Sequence, residues 1–131
     1  MFDLKTRILI VDDAMTMRKM VGKMCKDLGY TDLTEAADGL IAWEAITSTP
    51  IPFGLVISDW NMPNCTGLEL LKKVREDAKF EKLPFLMVTA EAEQHQIAEA
   101  IKIGVDNYLI KPFAQVDLVK KLEAVHKKRG A

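Results

Sequence analysis

At roughly 100–200 residues per domain, a chain of 131 residues has room for one domain and no second. It is 49% hydrophobic, enough to bury a core, and 28% charged, enough to stay in solution. Eighteen Lys and Arg against nineteen Asp and Glu leave a net charge of −1, which excludes the basic excess of a general nucleic-acid binder. No apolar run approaches the roughly 20 residues that span a membrane. The N-terminal MFDLKTR lacks the apolar stretch of a signal peptide. Cys25 and Cys65 fall in different predicted elements, so neither a disulfide framework nor a zinc site is indicated. The expectation is one cytoplasmic domain over residues 1–131, without an output domain.

In chain order, Arg7–Val11 is a β-branched run of the kind a buried parallel strand shows. Met17, Met20, Val21, Met24 and Leu28 then recur at helical spacing, and Gly29 supplies a stop. Leu33–Ala36 reads as a weak second strand. A short helix carrying Ala42, Trp43 and Ile46 follows, closed by Ser48-Thr49-Pro50. Phe53–Ser58 is a third strand, and Leu68, Leu71 and Val74 mark the inner stripe of the next helix. Pro84–Val88 is strand four. Ile97, Ile101 and Val105 stripe a fourth helix, Asn107–Ile110 is strand five, and Leu118, Val119, Leu122 and Val125 lie on a final helix. This rhythm predicts a flavodoxin-like α/β fold, a doubly wound (βα)5 domain with a five-stranded parallel sheet in the order 2-1-3-4-5.

In such sheets the ligand site lies beyond the carboxyl ends of the strands, at the switch point between strands one and three. The predicted strand ends carry Asp12-Asp13, Ser58-Asp59, Thr89-Ala90 and Lys111-Pro112. Neighbours in a pleated strand point to opposite faces, so the chain must leave strand geometry for both Asp12 and Asp13 to reach one pocket. A single Asp there often does no more than cap the next helix. Three together repel, by about 4 kcal/mol for a pair 4 Å apart near a protein surface, unless a pKa rises or a cation enters. Hard oxygen ligands, few and uncaged, suit Mg²⁺. The ammonium of Lys111 would serve an anion that arrives with the metal, with phosphate the natural candidate, and the Thr89 hydroxyl can donate to a phosphoryl oxygen.

Four ordered segments carry a family resemblance: Val11-Asp12-Asp13 with Thr16-Met17-Arg18, Ser58 to Asn64, Leu86 to Ala92, and Tyr108 with Lys111-Pro112-Phe113. Together they resemble the receiver domain of bacterial two-component signalling, and within it the stand-alone chemotaxis regulators. The likeness covers essentially the whole chain. It implies that Asp59 is the phosphoacceptor, attacking a phosphohistidine on a partner histidine kinase. It implies that Asp13 and Asp59 ligate Mg²⁺ with the backbone carbonyl of Asn61, while Asp12 reaches the ion through water. Lys111 would pair with the phosphoryl group, across a cis Lys111–Pro112 bond, and Thr89 and Tyr108 would form the switch pair. Asn61 and Glu91 stand where the family sets its dephosphorylation rate. The resemblance further implies a monomer whose output face is helix four, strand five and helix five. Its partner would be a flagellar motor switch protein, with a separate phosphatase as a further one and no nucleic acid or membrane. Chemistry would be confined to self-phosphorylation and autodephosphorylation at Asp59, without enzymatic turnover.

Elementary chemistry is compatible with that picture, since a carboxylate nucleophile is ionised at neutral pH and phosphoryl transfer needs mainly positioning and charge stabilisation. Phosphorylation adds about −1.5 to −2 charges, a change able to shift a population between two packings. Some positions depart from the chemotaxis pattern. Ala14 and Met15 stand where a Phe and a Ser are usual, leaving the first helix without a hydroxyl cap and Asp13 as the nearest substitute. Gln94 and His95 replace a Lys and a Glu on the presumed output face. Three alternatives remain open. A haloacid-dehalogenase-type phosphohydrolase would need Asp-x-Asp, where Asp13 is followed by Ala14 and Met15. A flavodoxin-like electron carrier would place a flavin phosphate against two carboxylates. A receiver serving as phosphate sink, or regulating a non-flagellar target, is the third.

Overall fold

The computed structural model describes residues 1–90 and 94–129. Its elements are β1 (Ile8–Val11), α1 (Met15–Asp27), β2 (Leu33–Ala36), α2 (Gly39–Ser48) and β3 (Leu55–Asp59), followed by α3 (Gly67–Glu76), β4 (Phe85–Thr89), α4 (Gln94–Ile103), β5 (Asn107–Ile110) and α5 (Gln115–Lys128). The strands form one parallel sheet in the expected order β2-β1-β3-β4-β5. No helix among the described residues is long and apolar enough to cross a membrane.

The period-two geometry of a strand sorts the core into two layers. Leu9, Val11, Val56, Phe85 and Met87 face Ala42 and Ile46 of α2, Leu70, Leu71 and Val74 of α3, and Ala100 of α4. Ile8, Ile10, Leu55, Ile57, Leu86 and Val88 face Val21 and Cys25 of α1 and Leu118, Leu122 and Val125 of α5. Both faces of the central strands are therefore covered, which is why their sequences are continuous apolar runs rather than alternating ones. Burial also pushes the Cys25 thiol up to about 12, so it behaves as a small apolar filler.

Three positions depart from the periodicity. Ile101, assigned to the inner stripe of α4, is 59% exposed, and Ala100 is the buried residue of that turn. Val105 is buried, but it lies beyond α4, where Gly104 at φ 117° has turned the chain out of the helix. Met20 is exposed, so the α1 stripe runs through Val21 and Cys25 instead.

The two ends of the sheet differ in kind. At the amino-terminal end, the Asp106 carboxylate accepts hydrogen bonds from Arg75 Nη2 at 3.1 Å, Arg129 Nε at 2.7 Å and the backbone N–H of Phe85 at 2.9 Å. Arg75 also donates to the carbonyls of Leu83 and Gly104, so one guanidinium joins α3 to the approaches of β4 and β5. Burial pulls the Arg75 pKa down to about 10, with the Arg129 charge adding to the fall and Asp106 opposing it. Asp106→Ala leaves two arginines without their shared anion in a buried setting. It is expected to cost about 3–5 kcal/mol in urea unfolding.

Helix starts differ as well. Thr66 and Glu69 form a reciprocal capping box at α3. α1 follows Ala14, which offers no side-chain cap, and the expected substitute Asp13 supplies none; the carboxylate of Asp12 instead accepts from the N–H of Ala14 at 2.8 Å. Amide exchange is expected to be faster in the first turn of α1 than in that of α3. Equal protection would contradict this reading of the caps.

Candidate functional site

At the carboxyl end of the sheet, β1 hands over to Asp12-Asp13, β3 ends in Asp59, β4 ends in Thr89 and β5 is followed by Lys111. The sheet order places β1 beside β3 and β3 beside β4, so these ends are neighbours. β1 stops at Val11, and leaving strand geometry there brings both adjacent carboxylates to one side, as the sequence requires. Ligand oxygens of Asp12, Asp13 and Asp59 lie within 4.8 Å of one another. Asp12 and Asp59 are buried; Asp13 is exposed at the mouth.

Lys111 reaches this cluster from the far side, with Nζ 2.9 Å from Asp59 Oδ1 and 3.4 Å from Asp12 Oδ2. Its backbone N–H donates to the carbonyl of Thr89 at 2.8 Å, and the Lys111–Pro112 peptide is cis, as the resemblance implied. On the other side, Arg18 Nη1 donates to the carbonyl of Asp12 at 2.7 Å, while its Nε meets Glu35 at 3.1 Å. Arg18 thus ties α1 and β2 to the backbone that presents the acid pair. Its sequence segment carried the resemblance, but nothing in a one-dimensional pattern shows a long side chain folding back onto a carbonyl.

Burial raises the Asp59 carboxyl above its usual range; the Lys111 hydrogen bond opposes this and the Asp12 charge adds to it. Burial alone pulls Lys111 down, but the hydrogen bond and charge of Asp59, together with Asp12, carry it above its usual value, so the ammonium stays charged. With Asp12, Asp13 and Asp59 ionised, one lysine leaves the cluster two negative charges in excess. That imbalance, with only oxygen donors and one exposed carboxylate left open to water, fits a hard divalent cation that keeps part of its hydration shell.

The remaining expected residues take different positions. Thr89 is buried at the end of β4. Asn61 lies exposed in the loop after β3, two positions beyond Asp59. Tyr108 is half-buried on β5, opposite Met87, with Lys121 Nζ 5.0 Å from its ring centroid. Beside it a shallow cleft of about 500 Å³ is lined by Ile110, Pro112, Phe113 and Lys121. Glu91 and the side chains of Gln94 and His95 lie outside the described residues. Two loop residues were given no role in the sequence reading: buried Asp38, which accepts from the N–H of Ile41, and exposed Asn64, whose amide donates to Asp38. The Asp38-Gly39 pair before an apolar run was a readable helix-start signal.

A doubly wound parallel sheet with an acidic triad and a lysine at its switch point defines an α/β domain with a cation-compatible acidic pocket, whose buried carboxylate faces an ammonium. The profile of the response regulator receiver domain matches residues 8–123, and the chain belongs to that family. It is 45% identical over 119 residues to the chemotaxis protein CheY of Pseudomonas aeruginosa, covering 91% of this chain and 94% of that one. It is 42% identical to CheY1 of Helicobacter pylori, covering 91% and 95%. Among solved structures, the chemotaxis response regulator CheY4 of Vibrio cholerae superposes with a TM-score of 0.83 at 36% identity, over 92% of this chain and 98% of that chain.

The raised Asp59 carboxyl has a thermodynamic consequence. Because protonation is favoured in the folded state, stability is fully present below the ordinary carboxylate range and is lost as pH rises through the raised value. Without divalent cation at neutral pH, Asp59→Asn is expected to melt a few degrees above the wild type. The difference should close as pH falls below about 4. A variant that melts lower at neutral pH would mean that the Lys111 contact outweighs burial.

Proposed function

We propose that this chain is a phosphorylation-activated, single-domain receiver that takes a phosphoryl group onto Asp59 from a histidine kinase and then binds a protein partner. The observation that carries this reading is the 2.9 Å contact between Lys111 and Asp59 within a carboxylate cluster of excess negative charge. Membership of the receiver family supports the histidine kinase as donor. Likeness to chemotaxis proteins over nine-tenths of the chain supports a cytoplasmic protein whose partner is the flagellar motor switch.

The Asp59 carboxylate oxygen forms the new bond to phosphorus as the P–N bond of the phosphohistidine breaks; the electron pair stays on the imidazole, which takes up a proton from solvent. No general base is needed, because the nucleophile carries no proton when ionised. Asp13, Asp59 and the backbone carbonyl of Asn61, with Asp12 beside them, would hold Mg²⁺, which when bound would neutralise charge on the phosphoryl oxygens. Lys111 is already aimed at Asp59 and moves its ammonium onto the incoming phosphoryl group. Thr89 donates its hydroxyl to a phosphoryl oxygen, and Tyr108 follows into the space that Thr89 leaves. Asn61 and Glu91 stand at the positions that, by the family resemblance, influence the dephosphorylation rate, and so set the lifetime of the signal. The face of α4, β5 and α5 reads out the change.

Incubation with acetyl phosphate and Mg²⁺ is expected to add one phosphoryl group to the intact mass of the wild type and none to Asp59→Asn. An unchanged wild-type mass overturns the proposal. For the partner, motor switch components should be retained on the immobilised protein with beryllofluoride and released without it. Equal retention in both states, or none in either, favours a phosphate sink or a non-flagellar regulator.

A further inference from the structure

The loop between β3 and α3 carries Asn61, and its anchoring is unusual. Its base is closed by the N–H of Gly67 donating to the carbonyl of Trp60 at 2.9 Å. Its far side turns sharply at Asn64, which has φ 67°, and the N–H of Cys65 returns to the carbonyl of Pro63 at 2.7 Å. A three-residue turn with positive φ is a rare, strained form, even for Asn. Strain of this kind persists only where the surroundings hold it. Here the restraint comes from the loop between β2 and α2.

Asp38 spans the two loops with its two carboxylate oxygens. One accepts from the N–H of Ile41, capping α2 at 2.9 Å; the other accepts from the Asn64 side-chain amide at 2.9 Å. A second tie runs alongside, from the N–H of Gly39 to the carbonyl of Cys65 at 3.2 Å. Asp38 is buried, and no cation among the described residues pairs with it. A capping aspartate needs only one oxygen for its helix, and this one uses the other to hold a strained turn three residues after Asn61.

That position matters because Asn61 contributes a backbone carbonyl to the ligand set proposed above. A side-chain ligand can choose among rotamers, but a carbonyl points only where its loop points. We propose that Asp38 and Asn64 are positioning residues: by locking the turn after Asn61 they aim its carbonyl at the divalent cation. The inference rests on that proposed ligand set and extends it to a pair of residues that touch neither metal nor phosphoryl group.

Isothermal titration with MgCl₂ of the full chain tests it, with thermal melting in metal-free buffer run alongside. Asp38→Asn keeps a capping oxygen for Ile41 but turns an amide NH₂ toward the NH₂ of Asn64. Asn64→Gly keeps the positive φ and removes the amide. Each is expected to weaken Mg²⁺ binding about tenfold or more, the usual scale for losing a group that orients a ligand. The exchanged pair, Asp38→Asn with Asn64→Asp, restores one donor facing one acceptor and should recover most of the wild-type affinity. A purely structural pair would lower the melting temperature and leave affinity unchanged, which overturns the inference. So does a weakened Asp38→Asn that the exchange fails to rescue. If the wild type binds Mg²⁺ and is phosphorylated while Asn64→Gly binds equally well, this inference falls and the proposed function stands. If the wild type binds no Mg²⁺, both fall.

Discussion

Three carboxylates and a single ammonium brought together at one sheet edge set the terms for the rest of the molecule. Like charges at this spacing repel, and burying two of them removes the water that would screen the repulsion. The fold holds them there because each sits at or just beyond the end of a strand whose remaining residues are buried. Pulling any one away would take a core strand with it. Lys111 relieves part of the repulsion and Arg18 fixes the backbone that presents Asp12, but neither neutralises the cluster. The excess charge is what a divalent cation and a phosphoryl group can exploit together.

The opposite end of the sheet makes the contrast plain. There Asp106 is a lone buried anion that receives two arginines and a backbone N–H, so its charge is fully answered. Arg75 converts that answer into architecture by also holding two carbonyls. One end of the sheet is therefore a satisfied ionic knot and the other an unsatisfied acidic pocket. Proteins commonly place electrostatic strain where function needs it and over-determine the structure elsewhere.

Much of this was legible in the linear chain, for identifiable reasons. Central strands buried on both faces leave unbroken apolar runs, so β1, β3 and β4 and the residues that follow them could be placed directly. Asp12, Asp13, Asp59, Thr89 and Lys111 came with them, because the fold class says where strand ends converge. Helix phase was harder to read. Ile101 and Met20 are apolar at helical spacing and still face outward, since a stripe of Ala100 or of Val21 and Cys25 fills the interface more closely. Least legible were the long-range polar ties. Asp38 and Asn64 are 26 residues apart, and no periodicity relates them. The pairing exists only once β2 and β3 flank β1.

Gly67 opens α3, and its N–H closes the loop at Trp60. A Cβ at this position would lie inside the van der Waals radii of the Asp59 carbonyl oxygen and the Met87 sulfur. The first turn of α3 thus rests directly on the main chain of Asp59, with no side-chain layer between them. A displacement of that helix would be transmitted to Asp59 rigidly, by hard contact rather than through a compliant side chain. Anything that presses on α3 from outside would reach the acidic pocket along this short, stiff route.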